Sequence, residues 1–140
     1  MFSALDISTS ALVAQRVRLN AISSNLANIS TTRNEAGELE PYQPRFTVFR
    51  TADNVRSPEG AVGVQVASVE IAAREPRWKH QPGHPDAVQE GPKKGHVAYP
   101  DINLVQESVD ALEATRAYEA NVGVIEVTKN LNQTTLRILA

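Results

Sequence analysis

Residues 3–29, SALDISTSALVAQRVRLNAISSNLANI, decide how the rest of the chain is read. Leu5, Leu12, Leu19 and Leu26 recur at seven-residue spacing, with Ile22 and Ile29 on an adjoining line. That is the narrow stripe of a coiled-coil-like helix. Ser3 is the expected N-cap, with Asp6 three residues on, and Ser30, Thr31 and Thr32 ahead of Asn34 and Gly37 end the helix after Ile29. Such a helix is roughly 40 Å long. Its other face carries Ser8, Asn20, Ser23, Ser24, Asn25 and Asn28 rather than Lys and Glu. Asn and Ser are poor helix formers, and a merely solvated face is usually charged. This face is therefore expected to meet backbone or side-chain amides of protein.

A second helical pattern runs from Asn103 to the end of the chain, about 36 residues and roughly 54 Å. Pro100 stops what precedes it, and Asn103 is a good N-cap with Gln106 in the third position. Its apolar stripe is Val105, Val109, Leu112, Tyr118, Val122, Ile125, Leu131 and Ile138. Gly123 costs this helix about 1 kcal/mol relative to Ala, so a close backbone neighbour is expected there. Between the helices, residues 34–100 hold all eight prolines and six of the seven glycines, which excludes long helices. Two strands are predicted. One contains Phe46, Val48 and Phe49. The other contains Val62, Val64 and Val66 and continues to Val69 and Ile71 through a phase slip, after a turn at Pro58 to Gly60. Residues 75–100 read as extended loop.

The predicted architecture is mainly α with a small β region. Two long terminal helices form a coiled-coil-like pair, and a short antiparallel strand unit and extended loops lie between them. Three parts follow: residues 1–33, an N-terminal assembly helix; residues 34–102, strands and a Pro/Gly-rich loop; residues 103–140, a C-terminal assembly helix. The first thirty residues carry Asp6 against Arg16 and Arg18, whereas 101–140 carry six acids against Arg116, Lys129 and Arg137, so the two ends should attract.

Composition narrows function. The 140 residues are 41% apolar and 5% aromatic, with one Trp and net charge −2. The low net charge supplies no field to hold nucleic acid or an anionic membrane. No stretch approaches the eighteen apolar residues of a membrane span. The N-terminus is not a secretory signal peptide, because Ser8, Thr9, Ser10 and Gln15 interrupt any apolar region and no basic region precedes it. With no cysteine, disulfides and thiolate sites are excluded. His80 and His84 are four apart, but Pro82 and Gly83 forbid the helix that would converge them. No phosphate loop or nucleophile motif is present. No catalytic residue, metal or cofactor is expected. What remains is assembly: two long striped helices at opposite ends of a chain must bury their stripes, and a lone hairpin of helices is marginal. Packing of many copies answers this, with an adaptor that binds one partner through a coiled coil as the alternative.

The run Ser10, Leu12, Ala14, Leu19, Asn20, Ile22, Ser24, Asn25, Leu26, Ala27, Asn28 resembles the N-terminal helix motif of the flagellar axial proteins, the rod and hook family. Asn103, Leu104, Val105 with Arg116, Ala117, Tyr118, Glu119, Ala120, Asn121 resembles that family's C-terminal motif. The loop Pro82, Gly83, His84, Pro85, Asp86, Ala87, followed by Gly95, Val97, Tyr99, Pro100, Ile102, Asn103, is similar to the proximal rod branch. His96 and Asp101 depart from it where Tyr and Asn are commoner.

The resemblance implies a structural subunit of the flagellar basal-body rod in the periplasm, exported without a cleaved signal by the flagellar type III apparatus. It implies as partners other copies of the chain, other proximal and distal rod proteins and the rod's adaptor to the inner-membrane ring, with no nucleic acid and no membrane insertion. Another rod-family subunit is the neighbouring alternative. The expected assembly surface is Leu5, Leu12, Leu19, Asn20, Ile22, Asn25, Leu26 and Asn28 with Leu112, Arg116, Tyr118, Asn121, Val122 and Ile125. The loop Pro82 to Asp86 is expected to be an inter-subunit or locally structural feature.

Overall fold

The computed structural model describes residues 2–139. Helix α1 spans Phe2–Ala27 and helix α2 spans Leu104–Leu139. Between them lie strands β1 (Arg45–Arg56) and β2 (Val62–Ile71), paired antiparallel, then β3 (Arg77–His80) and β4 (His96–Tyr99), a second antiparallel pair. The mainly helical reading with a small β region holds.

The helices pack against each other in opposite directions. Arg18 reaches Asp110 and Glu113, each at 3.3 Å, while Asn25, nearer the end of α1, reaches Glu107, nearer the start of α2. The expected attraction between a basic first helix and an acidic second one is thus realised through Arg18. The buried line of α1 is displaced from its leucine row. Ala14, Ala21 and Ile22 are buried, together with Ser8 and Asn25, and α2 contributes Ala114. Leu5, Leu12, Leu19 and Leu26 are only half-buried and flank this line. Small side chains at the centre let the helix backbones approach, which a leucine-on-leucine seam would prevent. Asn103 caps α2 as expected, its Oδ1 accepting from the Val105 N–H at 3.0 Å. Gln106 does not complete a reciprocal cap; its amide donates to Asp110 instead.

The β1–β2 hairpin closes through the expected turn, where Gly60 adopts φ +89° and donates to the Ser57 carbonyl. The expected phase slip is a bulge: Val48 faces Ser68 and Phe49 faces Val66, leaving Ala67 without a partner. A second irregularity lies between Ala52 and Arg56. There the hairpin leans on α1, and Gly63 is the point of closest approach. A Cβ at that position would lie 2.7 Å from Ser10 Oγ and 3.0 Å from Val55. The Ser10 hydroxyl accepts from the Val64 N–H at 3.0 Å and donates to the Ile7 carbonyl, so a helix side chain substitutes for strand pairing.

Asn25 makes the same substitution more completely. It is 2% exposed. Its Oδ1 accepts from the Arg45 N–H and its Nδ2 donates to the Arg45 carbonyl, both at 2.8 Å, so the amide pairs with the first residue of β1 as a neighbouring strand would. Tyr42 donates to the same oxygen, and Glu107 of α2 lies 3.2 Å from the same nitrogen. The uncharged polar face of α1 does meet protein amides at Asn25, although Asn20 and Ser23 are exposed.

Three expectations are corrected. The helix begins at Phe2, so Ser3 lies inside the first turn and is not the cap. Residues 75–100 are not extended loop throughout, because β3 and β4 pair from Arg77↔Tyr99 to His80↔His96; Arg77, Trp78 and Lys79 alternate without an apolar run, which hid the strand. Gly123 has nothing within 4 Å of a Cβ built on it, so among the described residues no neighbouring element approaches it closely.

The Asn25 arrangement yields a stability prediction. Asn25→Ala strands the Arg45 N–H and carbonyl and should destabilise the protein by about 2–3 kcal/mol. Asn20→Ala, on the exposed side of the same helix, should stay within about 0.5 kcal/mol. Urea unfolding of both variants followed by circular dichroism checks this.

Candidate assembly surface

Most of the larger apolar residues of α2 are exposed. Ala114 is the buried residue of this helix, whereas Val105 is 71% exposed and Leu112 52%. Val109, Val127, Leu131 and Ile138 are exposed as well. The reason is helical phase. The inner line through Glu107, Asp110, Ala114, Ala117 and Asn121 is small and polar, and Val105, Val109 and Leu112 lie about half a turn away from it. Val105, Val109 and Leu112 form one exposed apolar strip near the start of α2, and Val127, Leu131 and Ile138 form another near its end, with Arg116 between them.

The expected assembly residues divide accordingly. Leu112, Arg116 and Tyr118 are exposed, and Asn20 is exposed on α1. Leu5, Leu12, Leu19, Leu26, Asn28, Asn121, Val122 and Ile125 are half-buried, in part at the intramolecular seam. Ile22 and Asn25 are buried within the chain. Asn28 and Asn121 each donate to a carbonyl four residues back, Ser24 and Ala117, so these amides are satisfied locally.

The loop Pro82 to Asp86 folds back on the segment that follows α1. Two turns shape it: the His84 N–H donates to the Gln81 carbonyl and the Ala87 N–H to the His84 carbonyl, each at 3.0 Å. His84 Nδ1 accepts from the Asp86 N–H and so aims the carboxylate. Asp86 then accepts from the Thr32 hydroxyl and from Arg33 Nε, both at 2.7 Å, with a second Arg33 nitrogen also in contact. Arg33 further donates to the Gly37 carbonyl. Ala87, next to Asp86 in sequence, and Val97 and Ile102 are buried. Thr32 and Arg33 are the partners that sequence reasoning missed. Pro82, Gly83 and Pro85 are exposed and shape the turn.

His80 and His96 face each other across β3 and β4, with ring centroids 4.8 Å apart, and His84 sits edge-on to Tyr99. Among the described residues no group of three or more His, Cys, Asp and Glu side chains could hold a metal ion. Among them, too, no helix is long and apolar enough to cross a membrane.

Hydrogen bonds from Thr32 and then Arg33, assisted by the charge of Arg33, hold the Asp86 carboxyl below the usual carboxylate range. A carboxyl lowered on folding stabilises the protein fully above its unfolded value, about 4, and loses that contribution as pH falls through the lower folded value. The stability difference between the natural chain and Asp86→Asn should therefore be largest at neutral pH and vanish in strong acid. Denaturant unfolding of both, from about pH 2 to about pH 7 so as to span the carboxylate range, measures it.

Comparison with known proteins agrees with this arrangement of two end helices. Residues 5–33 match the family model described as flagella basal body rod protein, and residues 93–138 match that of the flagellar basal body rod FlgEFG protein C-terminal region. The chain is 38% identical to the flagellar basal-body rod protein FlgC of Borreliella burgdorferi, over 99% of this chain and 97% of that protein. It is 34% identical to FlgC of Bacillus subtilis, over 98% and 97%, and 35% identical to FlgC of Escherichia coli O157:H7, over 99% and 97%.

Proposed function

The chain belongs to the FlgC family and is a structural subunit of the flagellar basal-body rod, and from that premise we propose that it polymerises through the outward face of α2 together with the margins of α1. The observation that carries this reading is the exposure of Val105, Val109, Leu112, Val127, Leu131 and Ile138 along one long helix. Burying each such side chain is worth up to about 1.5–3 kcal/mol, and the same contact recurs at every copy. Half-buried Leu5, Leu12, Leu19 and Leu26 on the flank of α1 offer a second surface to a neighbour. Residues 1–33 and 103–140 act as the assembly parts, and residues 34–102 fill the space around them.

The partners are other copies of this chain, the other proximal and distal rod proteins, and the adaptor that joins the rod to the inner-membrane ring. The site is the periplasmic part of the basal body. The chain reaches it without a cleaved signal, through the flagellar type III export apparatus, and the absence of cysteine suits a polypeptide that refolds after export. Its role there is mechanical, the transmission of torque. Within the chain, the Asn25 tie supports that role by fixing the middle region to both helices, and the Asp86 clasp by fixing it to the segment that follows α1. The Pro82 to Asp86 loop is a locally structural element.

Leu112→Asp tests the outward face without disturbing the inner one. Leu112 is half-exposed, so the isolated variant should unfold within about 1 kcal/mol of the natural chain. In the rod it places an unpaired carboxylate in a buried contact, at a cost of several kcal/mol per copy. Cells relying on it should make the subunit yet be non-motile, with incomplete basal bodies by electron microscopy. Glu90→Lys, in an exposed loop, should swim normally. Motile Leu112→Asp cells would remove α2 from the assembly surface.

A further inference from the structure

Spacing along the chain excludes a helical pairing of His80 with His84, but the second strand pair brings a different two together. His80 ends β3, His96 begins β4, and they are direct cross-strand partners, so both side chains rise from the same face. Their ring centroids are 4.8 Å apart, and the ring planes meet at 61°, so the rings are not stacked face to face. Two imidazoles that bind one tetrahedral ion at about 2.0–2.1 Å per nitrogen have their centroids about 5 Å apart. The pair meets that spacing with no change of strand register.

The surroundings hold the pair in place. His96 Nδ1 lies 3.2 Å from the Lys94 carbonyl. A carbonyl only accepts, so in the neutral ring Nδ1 carries the proton and the Nε2 lone pair is left to bind. A ring N–H spent on a backbone carbonyl is also what orients a metal-bound histidine. Gly95, at φ +77°, leaves room for the other ring, because a Cβ there would stand 3.3 Å from His80 Cε1. The backbone beside each histidine is pinned: the Gln81 N–H donates to the Gly95 carbonyl at 2.8 Å, and the Val88 N–H to the His96 carbonyl at 3.0 Å. His80 is exposed and His96 half-buried, so an ion has access from solvent.

We propose that His80 and His96 form a two-histidine site for a divalent cation that prefers imidazole, such as Zn2+ or Ni2+, which clips β3 to β4 with water in its remaining positions. Two ligands fall short of the three or four of a resident zinc centre, and the described residues supply no third. The ion therefore exchanges with solvent and is not needed for folding. The donors are neutral nitrogens, and the charged neighbours are Lys94 and Lys93, the latter 3.9 Å from the Trp78 ring centroid. Such a setting offers nothing to Ca2+ or Mg2+, which take oxygen ligands, so selection follows nitrogen donation. A pair of four-residue strands is marginal by itself, and an ion that binds only the paired form stabilises it.

The natural chain, stripped with a chelator and dialysed, is titrated with Zn2+ by calorimetry. One ion per chain is expected, with no binding of Mg2+. His80→Ala and His96→Ala should each weaken Zn2+ binding by more than about tenfold, since losing an outer-shell partner alone costs a metal site that much. His84→Asn should bind as the natural chain does. Because an alanine variant could lose the strand pair rather than the ligand, the histidine ring protons of the natural chain are also followed by NMR. Those of His80 and His96 should shift together as Zn2+ is added, with those of His84 unmoved. No saturable binding, equal binding of Mg2+, undiminished binding in either alanine variant, weakened binding in His84→Asn, or a shift at His84 or at only one ring of the pair would overturn the site.

Discussion

The pairing of Asn25 with the backbone of Arg45 holds the architecture together. A side-chain amide has one donor and one acceptor in the same plane, as does the peptide unit it engages, so an asparagine can stand in for a neighbouring strand. This lets β1 begin directly against a helix, with its first residue already satisfied. Tyr42 and Glu107 converge on the same amide, so the segment before β1, the strand itself and the start of α2 are all positioned from one point. Without it, the hairpin would be a two-stranded unit with two open edges, which is marginal in water.

Economy of burial inside the chain follows from this polar scaffold. The intramolecular seam is alanine, serine and asparagine with one isoleucine, and the second small core is Ala87, Val97 and Ile102. Little apolar surface is used in holding the chain together. The larger side chains of α2 are left outside, where a neighbour can use them. A chain that buried its leucines internally would be a more stable monomer and a poorer subunit, because the same side chain cannot serve both contacts.

Periodicity made the helices legible because a seven-residue apolar repeat survives whichever partner finally covers it. The same property concealed which partner that is. Leu12 and Leu112 belong to equally regular stripes, yet one is half-buried within the chain and the other is exposed. The difference lies in the small residues between them, Ala14 and Ala114, which allow close approach and so capture the inner face. The β1–β2 hairpin was legible down to its bulge, since a phase slip in alternating valines has one geometric meaning. The β3–β4 pair was not, because Arg77, Trp78, Lys79 and His80 are all exposed and hold a single large apolar side chain. Gly63 carried a readable signal in its place between Val62 and Val64, where a glycine inside a strand marks a close approach; the approaching group was the Ser10 hydroxyl.

The clasp at Asp86 fixes a loop that has no regular structure. Its three side chains come from segments more than fifty residues apart in sequence, with separations of 54 for Thr32 and 53 for Arg33. Each separate contact is of the kind that contributes little on a surface. Here the carboxylate is only 10% exposed, is aimed by His84 and is held by two donors at once, so its orientation is fixed in more than one direction. Asn25 ties the middle region to α1, and the clasp ties it to the segment that follows α1, so the two points lie on either side of the chain's exit from that helix. Two points resist rotation where one would act as a hinge.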